Sequence, residues 1–258
     1  MILIKAGGSA ITDKRTPFSI KREALCTLAE ELSGSREEVV ICHGGGSFGH
    51  PLALKYNMVG PIVTKDQMLG VSKINIAMRK LSNIVSEHLE REGCRPFALQ
   101  SSAIMRADGG KITSFDHELV RDIARSGFIP IVYGDVVYDT KYSFSIVSGD
   151  QIMRKLAEYY TNSRAIFLTD VDGLYSSDPK KDREARLIKE MTFDQISSID
   201  AGTTGDVTGG MKGKVDEILQ FKGHISEIIV TSLERKGSLT LALKGGNPGT
   251  RITRAPSR

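Results

Sequence analysis

The sequence predicts an α/β fold in which a mostly parallel sheet carries helices on both faces. Short apolar runs of the kind that form buried strands alternate along the chain with amphipathic segments of helical periodicity. Several of the apolar runs lead directly into glycine-rich loops. Ligands in such folds bind beyond the carboxyl ends of the parallel strands, so these loops should converge on one edge of the sheet.

Each element follows from its periodicity and from the residues that end it. A helix is predicted where apolar residues recur every three or four positions and a glycine such as Gly34 or Gly93 follows. A strand is predicted where a short apolar run precedes a turn. The stretch from Pro51 to about Lys65 is expected to be irregular. The resulting order is strand Met1–Ala6, helix Ser19–Leu32, strand Glu38–Cys42, loop His43–His50, helix Asp66–Glu92, strand Arg95–Gln100, a short helix from Asp116 to Gly127, strand Phe128–Val137, a hairpin through Tyr138–Ser145, a helix from Ser148, strand Arg164–Thr169, a helix from Gly209, strand Glu227–Leu233, a short helix at Leu239–Leu243 and strand Thr250–Thr253.

No linker rich in Pro, Gly or Ser divides the chain, and no internal repeat is present. We therefore expect residues 1–258 to form one domain around one continuous sheet, with two lobes that meet near residue 150. Composition excludes several classes of protein. The net charge of +4 comes without clustered basic runs and aromatics, so a nucleic-acid partner is not indicated. No apolar stretch approaches the roughly 20 residues of a membrane helix and no signal peptide is evident, which favours a cytoplasmic protein without a membrane partner.

Four glycine-rich elements have the character of a phosphate cradle, because glycine lets a ligand approach the backbone and successive N–H groups attract an anion. They are Lys5–Ser9, His43–His50, Ser148–Asp150 and Asp206–Lys214. Any one of them alone could be a plain tight turn. The Walker A spacing is absent, and the GxGxxG spacing within His43–His50 lacks the acidic residue that a dinucleotide site would require.

Phosphoryl transfer requires two phosphate groups held in line and their charge neutralised, and Lys5, Lys14 and Lys214 could supply the positive charge. A lone lysine is more often a surface charge. Lys5 differs because it ends an otherwise apolar strand, where a buried ammonium is costly without an anionic partner. His50 closes a glycine-rich loop, where an imidazole could donate a hydrogen bond to an acceptor phosphate. No fixed metal site is indicated by the spacing of His, Cys and Asp.

These motifs resemble those of the amino acid kinase family over essentially the whole chain. The SFGH ending at His50 is similar to the isopentenyl phosphate kinases and the related fosfomycin kinases, rather than to the acetylglutamate, glutamate or uridylate kinases. The first motif departs from the usual pattern at Ala6 and Ala10, where larger aliphatic residues are common. The pieces that carry the resemblance are Lys5–Lys14 (KAGGSAITDK), His43–His50 (HGGGSFGH), Pro130–Asp135 (PIVYGD), Ser148–Asp150 (SGD), Thr169–Tyr175 (TDVDGLY) and Asp206–Lys214 (DVTGGMKGK).

The resemblance implies a three-layer αβα sandwich, commonly a homodimer. It also implies an N-terminal lobe, about 1–150, that binds the phosphate acceptor and a C-terminal lobe, about 151–258, that binds ATP. The implied catalytic residues are Lys5, Lys14, His50, Asp150 and Lys214. The implied ATP-binding residues are Lys5, Gly7, Gly8, Ser9, Gly46, Asp170, Asp172, Gly210 and Lys214. The implied acceptor-binding residues are Gly45, Gly49, His50 and Gly149.

The implied activity is in-line transfer of the γ-phosphoryl group of ATP, carried with Mg²⁺, to isopentenyl phosphate in isoprenoid biosynthesis. Two alternatives stay open at this point. One is a kinase of the same fold that acts on another small phosphate or a fosfomycin-type phosphonate, and the other is a nucleotide-binding module without catalysis. An apolar acceptor tail would need an apolar pocket, although each candidate for its lining could equally be ordinary core. Those candidates are Ile74, Met78, Leu81, Ile84, Ile146 and Val147.

Overall fold

The protein was analysed as a computed structural model, which describes residues 1–13, 15–177, 182–200 and 215–254. Twelve strands and ten helical segments lie within these ranges. The strands are β1 (Ile2–Ala6), β2 (Val39–His43), β3 (Pro96–Ala98), β4 (Met105–Asp108), β5 (Lys111–Phe115), β6 (Ile129–Tyr133), β7 (Asp135–Asp139), β8 (Ser143–Val147), β9 (Arg164–Thr169), β10 (Glu190–Thr192), β11 (Glu227–Ser232) and β12 (Thr250–Thr253). The helices are α1 (Gly8–Ile11), α2 (Arg22–Ser33), α3 (Gly46–Lys55), α4 (Lys65–Arg91), α5 (Ser101–Ile104), α6 (His117–Arg125), α7 (Gly149–Tyr159), α8 (Phe193–Asp200), α9, whose described part is 215–219, and α10 (Ser238–Leu243).

The main sheet has eight strands in the described part of the chain, in the order β10-β12-β11-β9-β1-β2-β6-β3. Neighbouring strands in it are parallel, with the exception of the antiparallel pair β11 and β12. β1 lies near the centre, between β2 and β9, so the first apolar run of the sequence becomes a buried strand. The predicted α/β class with a mostly parallel sheet is therefore confirmed.

Side chains of the central strands alternate between two hydrophobic cores, one on each face of the sheet. On β1, Leu3 faces one core, whereas Ile2 and Ile4 face the other. Helices α6, α7 and α8 cover the first face, and α2, α4 and α10 cover the second. This arrangement of helices, sheet and helices is the three-layer αβα sandwich that the resemblance implied.

A separate four-stranded sheet, in the order β5-β4-β7-β8, corrects the prediction of one continuous sheet. The predicted strand Phe128–Val137 breaks at Gly134 into β6 of the main sheet and β7 of the small one. A Cβ atom at Gly134 would lie 3.0 Å from the Gly149 nitrogen, so the chain turns beside the start of α7 where only a glycine fits closely. The predicted hairpin is confirmed as the antiparallel pair β7 and β8.

The second correction concerns α3, because the predicted loop and irregular stretch include a ten-residue helix, Gly46–Lys55. Pro51 within this helix has no N–H group to donate to the Ser47 carbonyl. That carbonyl instead accepts a hydrogen bond from the Phe18 nitrogen at 3.1 Å, so the chain before α2 is fastened to α3. The sequence also left unpredicted the short elements α1, α5, β4, β5, β10 and α8.

No helix in the described ranges is long and apolar enough to cross a membrane. The division into lobes near residue 150 stays a prediction.

Candidate active site

A cavity of about 230 Å³ lies at the carboxyl ends of the central strands, where the glycine-rich loops were expected to converge. Three of the four loops line it, those that follow β1, β2 and β8. The predicted site residues among its lining are Lys5, Gly7, Gly8, Ser9, Gly45, Gly49, His50, Gly149 and Asp150. Residues far apart in the sequence are thus brought together by strand order, as the parallel topology requires.

Lys5 holds the centre of the cavity floor as an ammonium between two carboxylates. Its Nζ atom contacts both Asp150 at the start of α7 and Glu217 on α9. It also lies 5.4 Å from the centre of the Phe167 ring, on the neighbouring strand β9. Burial alone would lower the pKa of Lys5, but the negative charges of Glu217 and Asp150 outweigh burial and raise it. Lys5 is therefore cationic at neutral pH.

Glu217 is a site residue that sequence reasoning missed. Its side chain is 18% exposed, against 46% for Asp150, so it is the more buried partner of Lys5. The pKa of Glu217 is raised to about 7, mainly by burial and also by the charge of Asp150, against the opposing effect of Lys5. On sequence, Glu217 is one acidic residue in an amphipathic helix, where acids usually face solvent. Its position three residues after Lys214 could have indicated that it lies near the site, because Lys214 ends the last glycine-rich element.

The first two glycine loops are in backbone contact at Gly8 and Gly46. A Cβ atom on Gly8 would lie 2.5 Å from the Gly46 nitrogen, and Gly46 itself has a φ of +46°. Thr12, which is fully buried, ties the two loops together. Its hydroxyl donates to the Gly8 carbonyl at 2.6 Å and accepts from the Ser47 nitrogen at 3.0 Å. The cradle is therefore a single unit rather than two independent turns, and Thr12 is a second residue that the sequence did not indicate.

The helices α3 and α7 both begin at the cavity, so the positive ends of their dipoles provide positive potential there. Ser148 begins α7 with a capping box, in which its hydroxyl accepts from the Gln151 nitrogen at 3.2 Å. His50 lies on α3, one turn after Gly46, and lines the same cavity. Gly45, Gly49 and Gly149 line it as well, which places all predicted acceptor-binding residues around one space.

Part of the cavity lining is apolar. Ile74 and Met78 line the cavity from α4, and Ile146 lines it from β8. Four of the six residues suggested for a tail pocket line the cavity, namely Ile74, Met78, Ile146 and Val147. Leu81 instead belongs wholly to the core, and Ile84 lines a different surface depression, so neither is a pocket residue.

The remaining predicted residues lie at the edge of the site or outside the described part. Asp170 and Asp172 follow β9, whose last residue, Thr169, lines the cavity. The Asp172 carboxylate accepts a hydrogen bond from the Ser232 hydroxyl at 2.6 Å and so joins the ends of β9 and β11. Lys14, Gly210 and Lys214 are outside the described residues, and their assigned roles remain predictions.

Within the residues that the structure describes, no group of three or more His, Cys, Asp and Glu side chains could hold a metal ion. Carboxylates of Asp135, Asp150 and Glu217 line the cavity, and those of Asp150 and Glu217 both contact Lys5. A hard divalent cation prefers such oxygens, so these two side chains fit a cation that arrives with a polyphosphate.

Comparisons with known proteins agree with this geometry. Residues 1–232 match the amino acid kinase family. The isopentenyl phosphate kinase of Methanothermobacter thermautotrophicus is 38% identical, with 98% of this chain and 99% of that protein covered. A crystal structure of an isopentenyl phosphate kinase substrate complex superposes with a TM-score of 0.81 at 30% identity, over 98% of this chain and 100% of the other. The UMP kinase of Ureaplasma parvum, at 16% identity and a TM-score of 0.63 over 98% of both chains, shares the fold.

The pKa of Glu217 predicts a specific pH dependence of stability. The folded protein retains a proton on Glu217 between pH 4.5 and about 7 that the unfolded chain has released, so stability contributed by this group falls as pH rises through that window. We expect Glu217→Gln to remove this slope, with the variant gaining on the order of 2 kcal/mol relative to wild type between the two ends of the window.

The measurement is urea unfolding of both proteins across the same pH range. Glu87→Gln, which changes an exposed carboxylate on α4, is the matched control and should keep the wild-type slope. If Glu217→Gln also keeps that slope, the carboxylate does not titrate in this window.

Proposed function

The chain belongs to the amino acid kinase family, and we propose that it is an ATP-dependent kinase that phosphorylates isopentenyl phosphate to isopentenyl diphosphate. The observation that carries this proposal is the mixed lining of the cavity. The polar part of the lining comprises the Lys5 ammonium, glycine backbone and two helix N-termini, and the apolar part includes Ile74, Met78 and Ile146. A molecule that fits such a space has a phosphate head and a short apolar tail.

The chemistry at the polar end requires charge neutralisation rather than a general base. A non-bridging oxygen of the acceptor phosphate attacks the γ-phosphorus of ATP, and the bond from that phosphorus to the β–γ bridging oxygen breaks as ADP leaves. The attacking oxygen is already anionic, so no proton has to be removed. We assign to Lys5 the stabilisation of the charge that spreads over the transferring group, because its ammonium lines the cavity beside the glycine loops.

We assign the acceptor phosphate to Gly45, Gly49, His50 and Gly149. Three of these are glycines around the N-termini of α3 and α7, where backbone N–H groups can donate to an anion. His50 adds a side-chain donor to the same space. Asp150, which contacts Lys5, keeps the ammonium over the cavity floor.

We assign ATP to the side formed by the first glycine loop and the end of β9. The Gly8–Gly46 contact leaves backbone rather than side chains at the cavity surface, so phosphate oxygens can reach N–H groups there. Gly7, Ser9, Asp170 and Asp172 belong to the same side by position. Lys14, Gly210 and Lys214 complete the proposal from the sequence motifs. Mg²⁺ bound to the ATP phosphates would supply further positive charge, with Asp150 and Glu217 as oxygen donors nearby.

Three further expectations belong to this proposal, and all three stay predictions. The homodimer rests on the resemblance, and the cytoplasmic location rests on sequence composition. The resemblance also implies that the N-terminal lobe, about 1–150, holds the acceptor and that the C-terminal lobe, about 151–258, holds ATP.

The proposed activity predicts release of ADP from Mg-ATP when isopentenyl phosphate is added. A coupled assay should be run with a panel that includes fosfomycin, N-acetylglutamate, UMP and a short alkyl phosphate. The highest kcat/KM is expected for isopentenyl phosphate, because its phosphate suits the polar lining and its branched tail fills the apolar lining more fully than a shorter alkyl chain. A higher value for fosfomycin would move the assignment to a phosphonate kinase, and ATP binding without turnover of any member would indicate a module without catalysis.

Substitution of His50 should impair the kinetics for the acceptor and leave those for ATP unchanged. Removal of one well-placed donor should cost about 100-fold in kcat/KM for isopentenyl phosphate in His50→Ala, with KM for ATP near wild type. His50→Gln, which retains an N–H donor, should recover part of the loss. His224→Ala, which changes a histidine that does not line the cavity, serves as the control. Wild-type acceptor kinetics in His50→Ala would remove the residue from the site.

A larger side chain in the apolar lining should make the enzyme favour shorter acceptors. Ile74→Phe fills the end of the cavity, and overpacking of about 1–3 kcal/mol against the tail should lower kcat/KM for isopentenyl phosphate roughly 10- to 100-fold, mostly through KM. A shorter alkyl phosphate should lose much less. The control is Ile84→Phe, since Ile84 is on the same helix but lines another depression. Equal losses for short and long acceptors would contradict the assignment of Ile74 to the pocket.

A further inference from the structure

Asp135 is a buried carboxylate that the proposed chemistry does not use. It begins β7, is 1% exposed and lines the cavity. Placing a carboxylate in an apolar wall is costly, and here burial raises the pKa of Asp135 to about 7. Ordinary core packing would favour an apolar residue of the same size. The carboxylate therefore needs an explanation from what it contacts.

The contacts of Asp135 join the two walls of the tail end of the cavity. One carboxylate oxygen accepts from the Val136 nitrogen at 2.8 Å, and the other accepts from the Asn75 side-chain amide at 3.1 Å. Asn75 lies on α4 directly after Ile74 and one turn before Met78, both of which form the α4 wall. The same amide lies 3.2 Å from the Ser102 hydroxyl on α5. Asn75 is thus held between β7 and α5.

The β7–β8 hairpin connects Asp135 to the residues of β8 that line the cavity. Asp135 pairs with Val147, and Val136 pairs with Ile146, in the antiparallel ladder of β7 and β8. Val147 and Ile146 line the cavity, and β8 continues into Ser148 and Gly149 at the acceptor phosphate end. A shift of Asp135 would therefore move both a tail wall and the start of α7.

We propose that Asp135 is a positioning residue for the phosphate acceptor, and that its hydrogen bond to Asn75 sets the separation between the α4 wall and the β7–β8 wall and hence the length of tail that the enzyme accepts. This inference rests on the proposed function, since it assigns the cavity to the acceptor. Asp135 acts through Asn75 and the hairpin and takes no part in the transfer itself.

The test uses the full-length enzyme and two acceptors, isopentenyl phosphate and the longer geranyl phosphate. In Asp135→Asn one side-chain oxygen replaces the two carboxylate oxygens, so it can no longer accept from both the Asn75 amide and the Val136 nitrogen. We expect KM for isopentenyl phosphate to rise about tenfold, the loss of one charge-assisted hydrogen bond. The kcat and KM for ATP should stay near wild type, and the ratio of kcat/KM for geranyl over isopentenyl phosphate should rise.

A reciprocal exchange provides the rescue. Asp135→Asn combined with Asn75→Asp restores one donor facing one acceptor, and the Ser102 hydroxyl can donate to the new carboxylate. The double variant should return both KM and the acceptor ratio toward wild type, whereas Asn75→Asp alone places two carboxylates together and should be worse than Asp135→Asn. A purely structural role would not produce this pattern in the acceptor ratio.

Asp139→Asn is the matched control, because Asp139 is the last residue of the same strand and is also fully buried. Its carboxylate accepts from four backbone nitrogens but does not line the cavity. It should lower the melting temperature and leave the acceptor ratio unchanged. If Asp135→Asn does not fold, Asn75→Leu breaks the same bond from the α4 side and should give the same rise in the ratio.

If the wild-type enzyme is active, two results would overturn the inference and leave the proposed function standing. One is that Asp135→Asn leaves the acceptor KM and the acceptor ratio unaltered. The other is that Asp139→Asn alters the ratio equally. A wild-type enzyme inactive on isopentenyl phosphate would overturn both.

Discussion

The arrangement of the site depends on one buried ammonium. Lys5 lies on a central strand, and its charge is compensated from two directions, by Asp150 at the start of α7 and by Glu217 on α9. A lysine in this position would be strongly destabilising alone, because an unpaired buried charge loses its hydration without replacement. The two carboxylates therefore do more than stabilise the cation. They fasten the helix that begins at the acceptor side and the helix that follows the last glycine motif to the same strand, so the two halves of the chain share one fixed point.

A second constraint is steric and acts through the backbone. Gly8 and Gly46 approach so closely that a methyl group on either would collide with the other loop or with Thr12. The hydrogen bonds of Thr12 hold this contact, and the carbonyl that Pro51 leaves unpaired in α3 holds the preceding chain through Phe18. Consequently the surface offered to phosphate consists of main-chain groups whose positions do not depend on flexible side chains. Such preorganisation is what electrostatic stabilisation of a transferring phosphoryl group requires.

Much of this could be predicted from the sequence, for identifiable reasons. Lys5 was found because a charge at the end of an apolar strand violates the burial pattern, and the cavity edge followed from parallel topology. Glu217 and Thr12 were missed because an acid on an amphipathic helix and a threonine after a glycine loop look the same whether or not they contact a site. Helix α3 was missed because glycine and proline dominate its first turns, and here tertiary bonds outweigh low helix propensity. The break at Gly134 was missed because the apolar pattern continues across it while the strand changes sheets.

The two ends of the cavity are built by different means, and this separates chemistry from specificity. In the proposed function the phosphate head contacts the backbone of the glycine loops and Lys5, which cannot be replaced without leaving two carboxylates without their cation. The tail is bordered by side chains of α4 and of the β7–β8 hairpin, which vary in size without altering the glycine loops. Asp135 lies where these two parts meet, since it is bonded to α4 through Asn75 and begins the hairpin that leads to Gly149. If the site is used as proposed, we expect a change of side-chain volume on α4 to leave the phosphate positions intact, and a change at Asp135 to alter both the apolar lining and, through β8, the position of Gly149.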